Sequence, residues 1–148
     1  MSNIGEQLVG VWKILSLADS LPDGGVFYQF GEKPTGGLVY TADGFMSLQL
    51  ARDPRPTFAD GYQKATLEEI KNALEAYVAM YGRYSLDEEG CAVTHHVLGC
   101  NFPDMIGTNQ VRPFELSGDT LTLKPAPFEM NGVVHTRRLV LERFRTPQ

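Results

Sequence analysis

The sequence predicts an all-β protein, an up-and-down antiparallel β-barrel forming a single domain over residues 1–148, with one inserted α-helix near residues 66–81. Three observations point there. Fifteen glycines and nine prolines are many for a helical bundle and imply many turns. Hairpin-type signals (Asp23-Gly24-Gly25, Asp43-Gly44, Glu89-Gly90, Ser117-Gly118-Asp119 and Asn131-Gly132) fall between runs rich in Val, Leu, Phe, Tyr and Thr. So many consecutive hairpins favour closure, because a closed barrel leaves no exposed strand edge.

In chain order, the runs between turns predict strands at residues 8–17, 26–31, 36–42 and 45–51, and later at 82–88, 91–100, 108–117, 120–125 and 133–144. One segment breaks the pattern. Thr66-Leu67-Glu68-Glu69 is a T-x-x-E capping box, and Leu67, Ile70, Leu74, Tyr77, Val78 and Tyr81 follow at helical spacing. The helix is therefore placed at 66–81, ending at Gly82. It either covers one mouth of the barrel or packs on its outer wall, and the sequence leaves both open. The stretch before it, from Arg52 to Phe58, is proline-rich and irregular.

Composition bounds the function. With 43% hydrophobic and 10% aromatic residues, the chain has the profile of one soluble domain with one core, not of a disordered segment. Thirteen basic residues oppose eighteen acidic ones, and a net charge of -5 argues against a general nucleic-acid binder or a polybasic membrane module. A basic interior stays open, since net charge says nothing about cavities. Met1-Ser2-Asn3-Ile4-Gly5-Glu6 has no basic stretch and no long apolar run, so neither a secretory leader nor a membrane-spanning helix is expected. Cys91 and Cys100 at the ends of one strand would lie roughly 30 Å apart at about 3.3 Å per residue. That exceeds the reach of a disulfide, about 7 Å between Cα atoms. Reduced cysteines fit a cytoplasmic protein.

Strand side chains alternate between faces, so parity predicts the interior. Leu38 and Tyr40 face in, with Met46, Leu48 and Leu50 on the next strand, then Tyr84 and Leu86. The strand 91–100 is apolar on both faces, and the favoured parity turns His95 inward with Val93 and Val97. Phe114 and Leu116 face in and take Gln110 and Arg112 with them. Leu121, Leu123, Leu139 and Leu141 follow, and His135 and Arg137 share the parity of the last pair. Two interior arginines would be costly in a dry core. Either buried acids satisfy them, or they line a wet cavity for a polar or anionic group. Inward carboxylates are scarce in this parity, which favours the cavity. A carboxylate, enolate or phenolate would suit a planar guanidinium.

These residues carry a resemblance. Gly10-Val11-Trp12 on the first strand resembles the G-x-W signature of lipocalins, and Arg143 on the last strand resembles the arginine that packs on that tryptophan. The ordered set Gly37-Leu38-Val39-Tyr40-Thr41, Asp43-Gly44-Phe45-Met46-Ser47, Gly82-Arg83-Tyr84, Thr94-His95-His96-Val97, Phe102-Pro103, Gly107-Thr108-Asn109-Gln110-Val111-Arg112 and Leu139-Val140-Leu141-Glu142-Arg143 is similar to the bacterial and fungal lipocalin-like domain family over roughly residues 7–144. The resemblance implies a calycin-type barrel with a small-molecule cavity. By analogy with lipocalin-like proteins of biosynthetic clusters, it also suggests cyclase or isomerase chemistry on polyketide- or terpenoid-like intermediates of secondary metabolism.

The candidate site follows. No metal is expected: His95 and His96 are adjacent on a strand and point to opposite faces, and no H-x-H, C-x-x-C or H-E-x-x-H spacing exists. A nucleophilic serine lacks a G-x-S-x-G elbow, and neither cysteine has a local cationic motif. The catalytic candidates are Arg112, to hold developing negative charge, and His95, as acid–base. The ligand-binding candidates are Gln110, Tyr40, Met46, Tyr81, Tyr84, His135, Arg137 and Phe114, with Tyr81 placed near a barrel mouth by the helix. Such a site needs no cofactor. Its partner would be a small hydrophobic molecule with a polar or anionic end, which a cofactor-free isomerase, cyclase or lyase would convert and a carrier or sensor would only hold. A third reading is a structural module with a packed interior. A homodimer is left open.

Overall fold

The computed structural model describes residues 3–89 and 91–145. Gly90 of the Glu89-Gly90 turn signal and Met1-Ser2 of the N-terminal segment lie outside the described residues. The chain begins with a short helix α1 (Ile4–Leu8), then β1 (Gly10–Ser20), a two-residue β2 (Val26–Phe27), β3 (Thr35–Tyr40) and β4 (Phe45–Ala51). Helix α2 (Leu67–Glu75) precedes β5 (Tyr77–Asp87), β6 (Ala92–Cys100), β7 (Asn109–Ser117) and β8 (Thr120–Leu123). A short β9 (Phe128–Met130) and β10 (Val133–Arg143) complete it. Strands β3 to β8 pair in sequence, β8 pairs with β10, and β10 pairs back onto β1. Eight antiparallel strands thus close the barrel, while β2 and β9 extend β1 and β10 at its edge.

The turn chemistry explains the hairpins. Asn131 and Gly132 both have positive φ, 53° and 80°, as a two-residue β-hairpin with right-handed twist requires. The short β9 it creates was not among the predicted strands. Conversely, most of the predicted strand 26–31 is loop: only Val26–Phe27 pair, and Phe30 instead turns into the core.

Helix α2 is shorter than its periodicity predicts. The capping box is present, with Thr66 Oγ1 accepting from Glu69 N and Glu69 Oε1 accepting from Thr66 N. The helix nevertheless stops at Glu75, and residues 77–81 belong to β5, paired with β4 from Ala51↔Tyr77 onward. Tyr77, Val78 and Tyr81 fit a helical spacing, but they are also good strand residues, and two flanking ladders outweigh local propensity. The helix lies outside the barrel with no buried residue, and none of its residues lines the cavity described below.

One irregularity positions the site. Along β1, Trp12 and Ile14 are buried, and then the register slips: Ile14 faces Leu141, Ser16 faces Val140 and Leu17 faces Leu139. A bulge with one extra residue exchanges the faces beyond it. Leu17 and Asp19 consequently point inward where unbroken alternation would turn them out.

The apolar core fills one end. Trp12, Leu38, Tyr40, Met46, Leu121 and Leu141 are essentially inaccessible, and Leu8 of α1 joins them from below. Trp12 Nε1 donates to the Leu8 carbonyl at 2.8 Å. Arg143 stacks on the Trp12 ring at 4.3 Å and donates to the carbonyls of Val9 and Gln7. The glycine of Gly10-Val11-Trp12 is required here: its φ is +139°, and a Cβ would meet the Arg143 guanidinium at 2.8 Å.

Candidate functional site

The opposite end of the barrel is open and encloses a cavity of about 570 Å³. This lies in the usual range for small-molecule sites, about 300–1,000 Å³. Most of its wall is apolar. Leu17, Leu38, Leu48, Leu50, Val78 and Met80 come from β1, β3, β4 and β5, and Leu123 and Leu139 from β8 and β10. Phe30, Phe102, Met105 and Phe128, from the loops and short β9, complete that wall.

The polar residues concentrate on β6 and β7. His95 pairs directly with Gln110, and Val93 with Arg112, so these three polar side chains are neighbours on one inward face. Arg137, Gln29 and the exposed Asp104 complete the polar lining.

The two arginines differ. Arg137 is committed: its Nε and a terminal NH2 donate to the Asp19 carboxylate at 2.8 and 2.9 Å, a further donation reaches Gln29, and its guanidinium lies 4.7 Å from the Phe128 ring centre. Asp19 is fully buried and also pairs with His135 Nδ1 at 2.9 Å. Burial alone would raise the Asp19 carboxyl, but the hydrogen bonds from Arg137 and His135 outweigh it and hold it below the usual carboxylate range. Arg112 has no such partner. Among the described residues no carboxylate pairs with it, and its hydrogen bond is a long one, 3.3 Å to the carbonyl of its neighbour Val111. Burial, then the nearby Arg137 charge, pull its pKa down, but a guanidinium keeps its proton.

His95 sits at the floor of the cavity, with Nε2 2.6 Å from the Tyr40 hydroxyl. Burial, then the Arg112 charge and His96, push its pKa down to about 3, so the imidazole is neutral. His96 points outward, between Ser85 and Asn109.

Of the candidates read from the sequence, His95, Gln110, Arg112 and Arg137 line the cavity together. Tyr40 touches it only through His95. Met46, Phe114 and Tyr84 belong to the packed end, where Tyr84 donates to the Thr41 carbonyl and its ring meets Tyr40 edge-on. His135 is enclosed by Asp19 and the rings of Phe27 and Phe128. Tyr81 corrects the helical placement: it stands on the outer wall, half exposed, stacked with Phe45 and lying over Gly99. The scarcity of inward carboxylates is also corrected, because the bulge in β1 delivers Asp19. Sequence parity had no sign of that bulge, and it also missed Phe30 and Gln29, which enter from a loop. Both cysteines are free, and Cys100 lines the cavity. Among the described residues no three His, Cys, Asp or Glu side chains gather as a metal site, and no helix is long and apolar enough to cross a membrane.

The family model described as a lipocalin-like domain matches residues 9–144 of the chain. No curated protein matches it.

Proposed function

The chain belongs to the lipocalin-like domain family, and on that premise we propose that it binds a small, mostly apolar molecule with a polar or anionic end inside the barrel. One observation carries this: a cavity of about 570 Å³ whose walls are apolar except for a single polar face. The test is titration with anilinonaphthalene sulfonate, an apolar fluorophore with an anionic end. A saturable, one-to-one rise in fluorescence is expected, and it should vanish in Leu48→Trp, which fills the cavity from a partly buried position. An absent signal, or one that Leu48→Trp leaves intact, overturns the reading.

A second reading makes the site a cofactor-free isomerase or cyclase for a keto or phenolic compound. Arg112 favours it, because an uncompensated guanidinium beside apolar walls would stabilise an oxyanion as it forms. Arg112 and Gln110 would hold the carbonyl oxygen. His95 would serve as a neutral hydrogen-bond donor to that oxygen. Incubation of a phenyl-substituted 1,3-diketone in heavy water tests it: faster deuteration at the carbon between the carbonyls, lost in Arg112→Met, is expected. A rate equal to that of buffer removes catalysis and leaves a carrier or sensor.

A further inference from the structure

The Tyr40–His95 pair determines more than the floor of the cavity. Tyr40 is buried, and its hydroxyl has one hydrogen-bond partner among the described residues, His95 Nε2 at 2.6 Å. A neutral imidazole has one donor nitrogen and one acceptor. If Nε2 carried the proton, the phenol proton would be left buried without an acceptor, which is unfavourable. The phenol therefore donates to Nε2, and the imidazole proton resides on Nδ1. Burial pushes the phenol pKa upward, consistent with its remaining the donor.

Among the described residues His95 Nδ1 has no hydrogen-bond partner, and among the same residues no fully buried side-chain nitrogen or oxygen is unsatisfied. Nδ1 is therefore accessible, and the space it meets is the cavity that His95 lines. The Gln110 amide, across the ladder, faces the same cavity, as does the Arg112 guanidinium, one diagonal away, which donates only a long bond to the Val111 carbonyl. Asp19 does not compete for Arg112, because Arg137 and His135 occupy it. Asp104 lines the cavity but is exposed and pairs with neither arginine.

We propose that this wall is a donor-rich recognition face, with Arg112, the Gln110 amide and a His95 Nδ1–H fixed by Tyr40 selecting ligands whose polar end is a planar, anionic oxygen acceptor of the carboxylate or enolate type. It rests on the binding reading above and sharpens it. A hydroxyl can satisfy part of the wall, but an ammonium meets three groups, of which only the amide oxygen can accept from it. Charge-assisted hydrogen bonds make the anion the preferred guest.

Two experiments test this. Decanoate, decanol and decylamine are used to displace anilinonaphthalene sulfonate from the full-length protein. Decanoate is expected to bind about tenfold or more tightly than decanol, with decylamine weakest. Arg112→Met should erase the preference, weakening decanoate far more than decanol. If all three chains bind equally, or decanol binds best, the donor wall is overturned while the cavity reading stands. If none displaces the bound fluorophore, the donor wall falls and the cavity reading stands or falls by the fluorophore titration. The second experiment needs no ligand. Long-range nitrogen–proton NMR correlation of the imidazole is expected to show the Nδ1–H tautomer for His95, and loss of that single tautomer in Tyr40→Phe. An Nε2–H signal in the unaltered protein refutes the proposal.

Discussion

At the packed end of the barrel, Arg143 lies on Trp12 and spends its donors on the carbonyls of Val9 and Gln7. At the open end, Arg112 faces a cavity with no carboxylate partner among the described residues. The two arginines stand on β7 and β10 of one closed sheet, with β8 between them, yet one closes the structure and the other is left available. The difference lies in what the strands supply around each. The packed end receives Leu8, Trp12, Tyr40 and Met46, and these large side chains are buried in one cluster. The open end receives mainly leucines, valine and methionine from one wall and polar groups from the other, and these do not meet across the middle. Stability and recognition are thereby separated along the barrel axis.

Four substitutions or titrations would break or sharpen that separation. The largest effect is expected at the packed end: Trp12→Ala should cost about 4 kcal/mol in urea unfolding, because a fully buried ring and its bond to Leu8 are lost. A loss below about 1 kcal/mol would mean that this end is not tightly packed. Asp19→Asn comes next, at about 3 kcal/mol by the same measurement, since Arg137 and His135 would lose a buried counter-charge. A neutral outcome there would assign Arg137 to the cavity instead of to the frame.

The third is a pH effect. His95 in the fold titrates at about 3, below its unfolded value of about 6.5. As pH falls, the unfolded chain takes up this proton first. The stability contributed by neutral His95 is therefore complete above about 6.5 and is lost as pH drops toward 3. Between pH 7 and pH 5 this amounts to about 2 kcal/mol, seen as a falling urea midpoint that His95→Gln should flatten. An identical slope in the variant would show that His95 is not the group responsible. The smallest effect is expected for Arg112→Met, a change within about 1 kcal/mol in thermal unfolding. A large loss would show that Arg112 is structural, and the contrast between the two ends would disappear.

Much of this was legible from the residues. The turn signals at Asp43-Gly44 and Asn131-Gly132 set the hairpins, and parity placed Leu38, Val93, Phe114, Leu121 and Leu141 inward, where they are buried. The same parity brought His95, Gln110 and Arg112 to one wall, because β6 and β7 keep regular alternation between Val93 and Phe114. Reading failed where alternation does. The bulge after Ile14 has no marking residue, so Asp19 was invisible as an inward acid, and with it the pairing that neutralises Arg137. Tyr81 failed for another reason: a tyrosine- and valine-rich run satisfies helical spacing and strand preference at once, and only the neighbouring ladders decide between them.

The pairing of Asp19 with Arg137 also has a temporal meaning. Its partners lie at opposite ends of the chain, on the first long strand and the last, with more than a hundred residues between Ser20 and Val133. On a ribosome, the hairpins from β3 to β8 can form as they emerge, but the far half of β1 has no β10 to meet until synthesis is almost finished. Contacts of such sequence separation form slowly, and an unpaired strand edge is open to other chains meanwhile. A buried charge is a poor companion to a premature aggregate. The Asp19 carboxylate meets both of its cationic partners, Arg137 and His135, on the last strand, so this pairing is completed only when β10 docks.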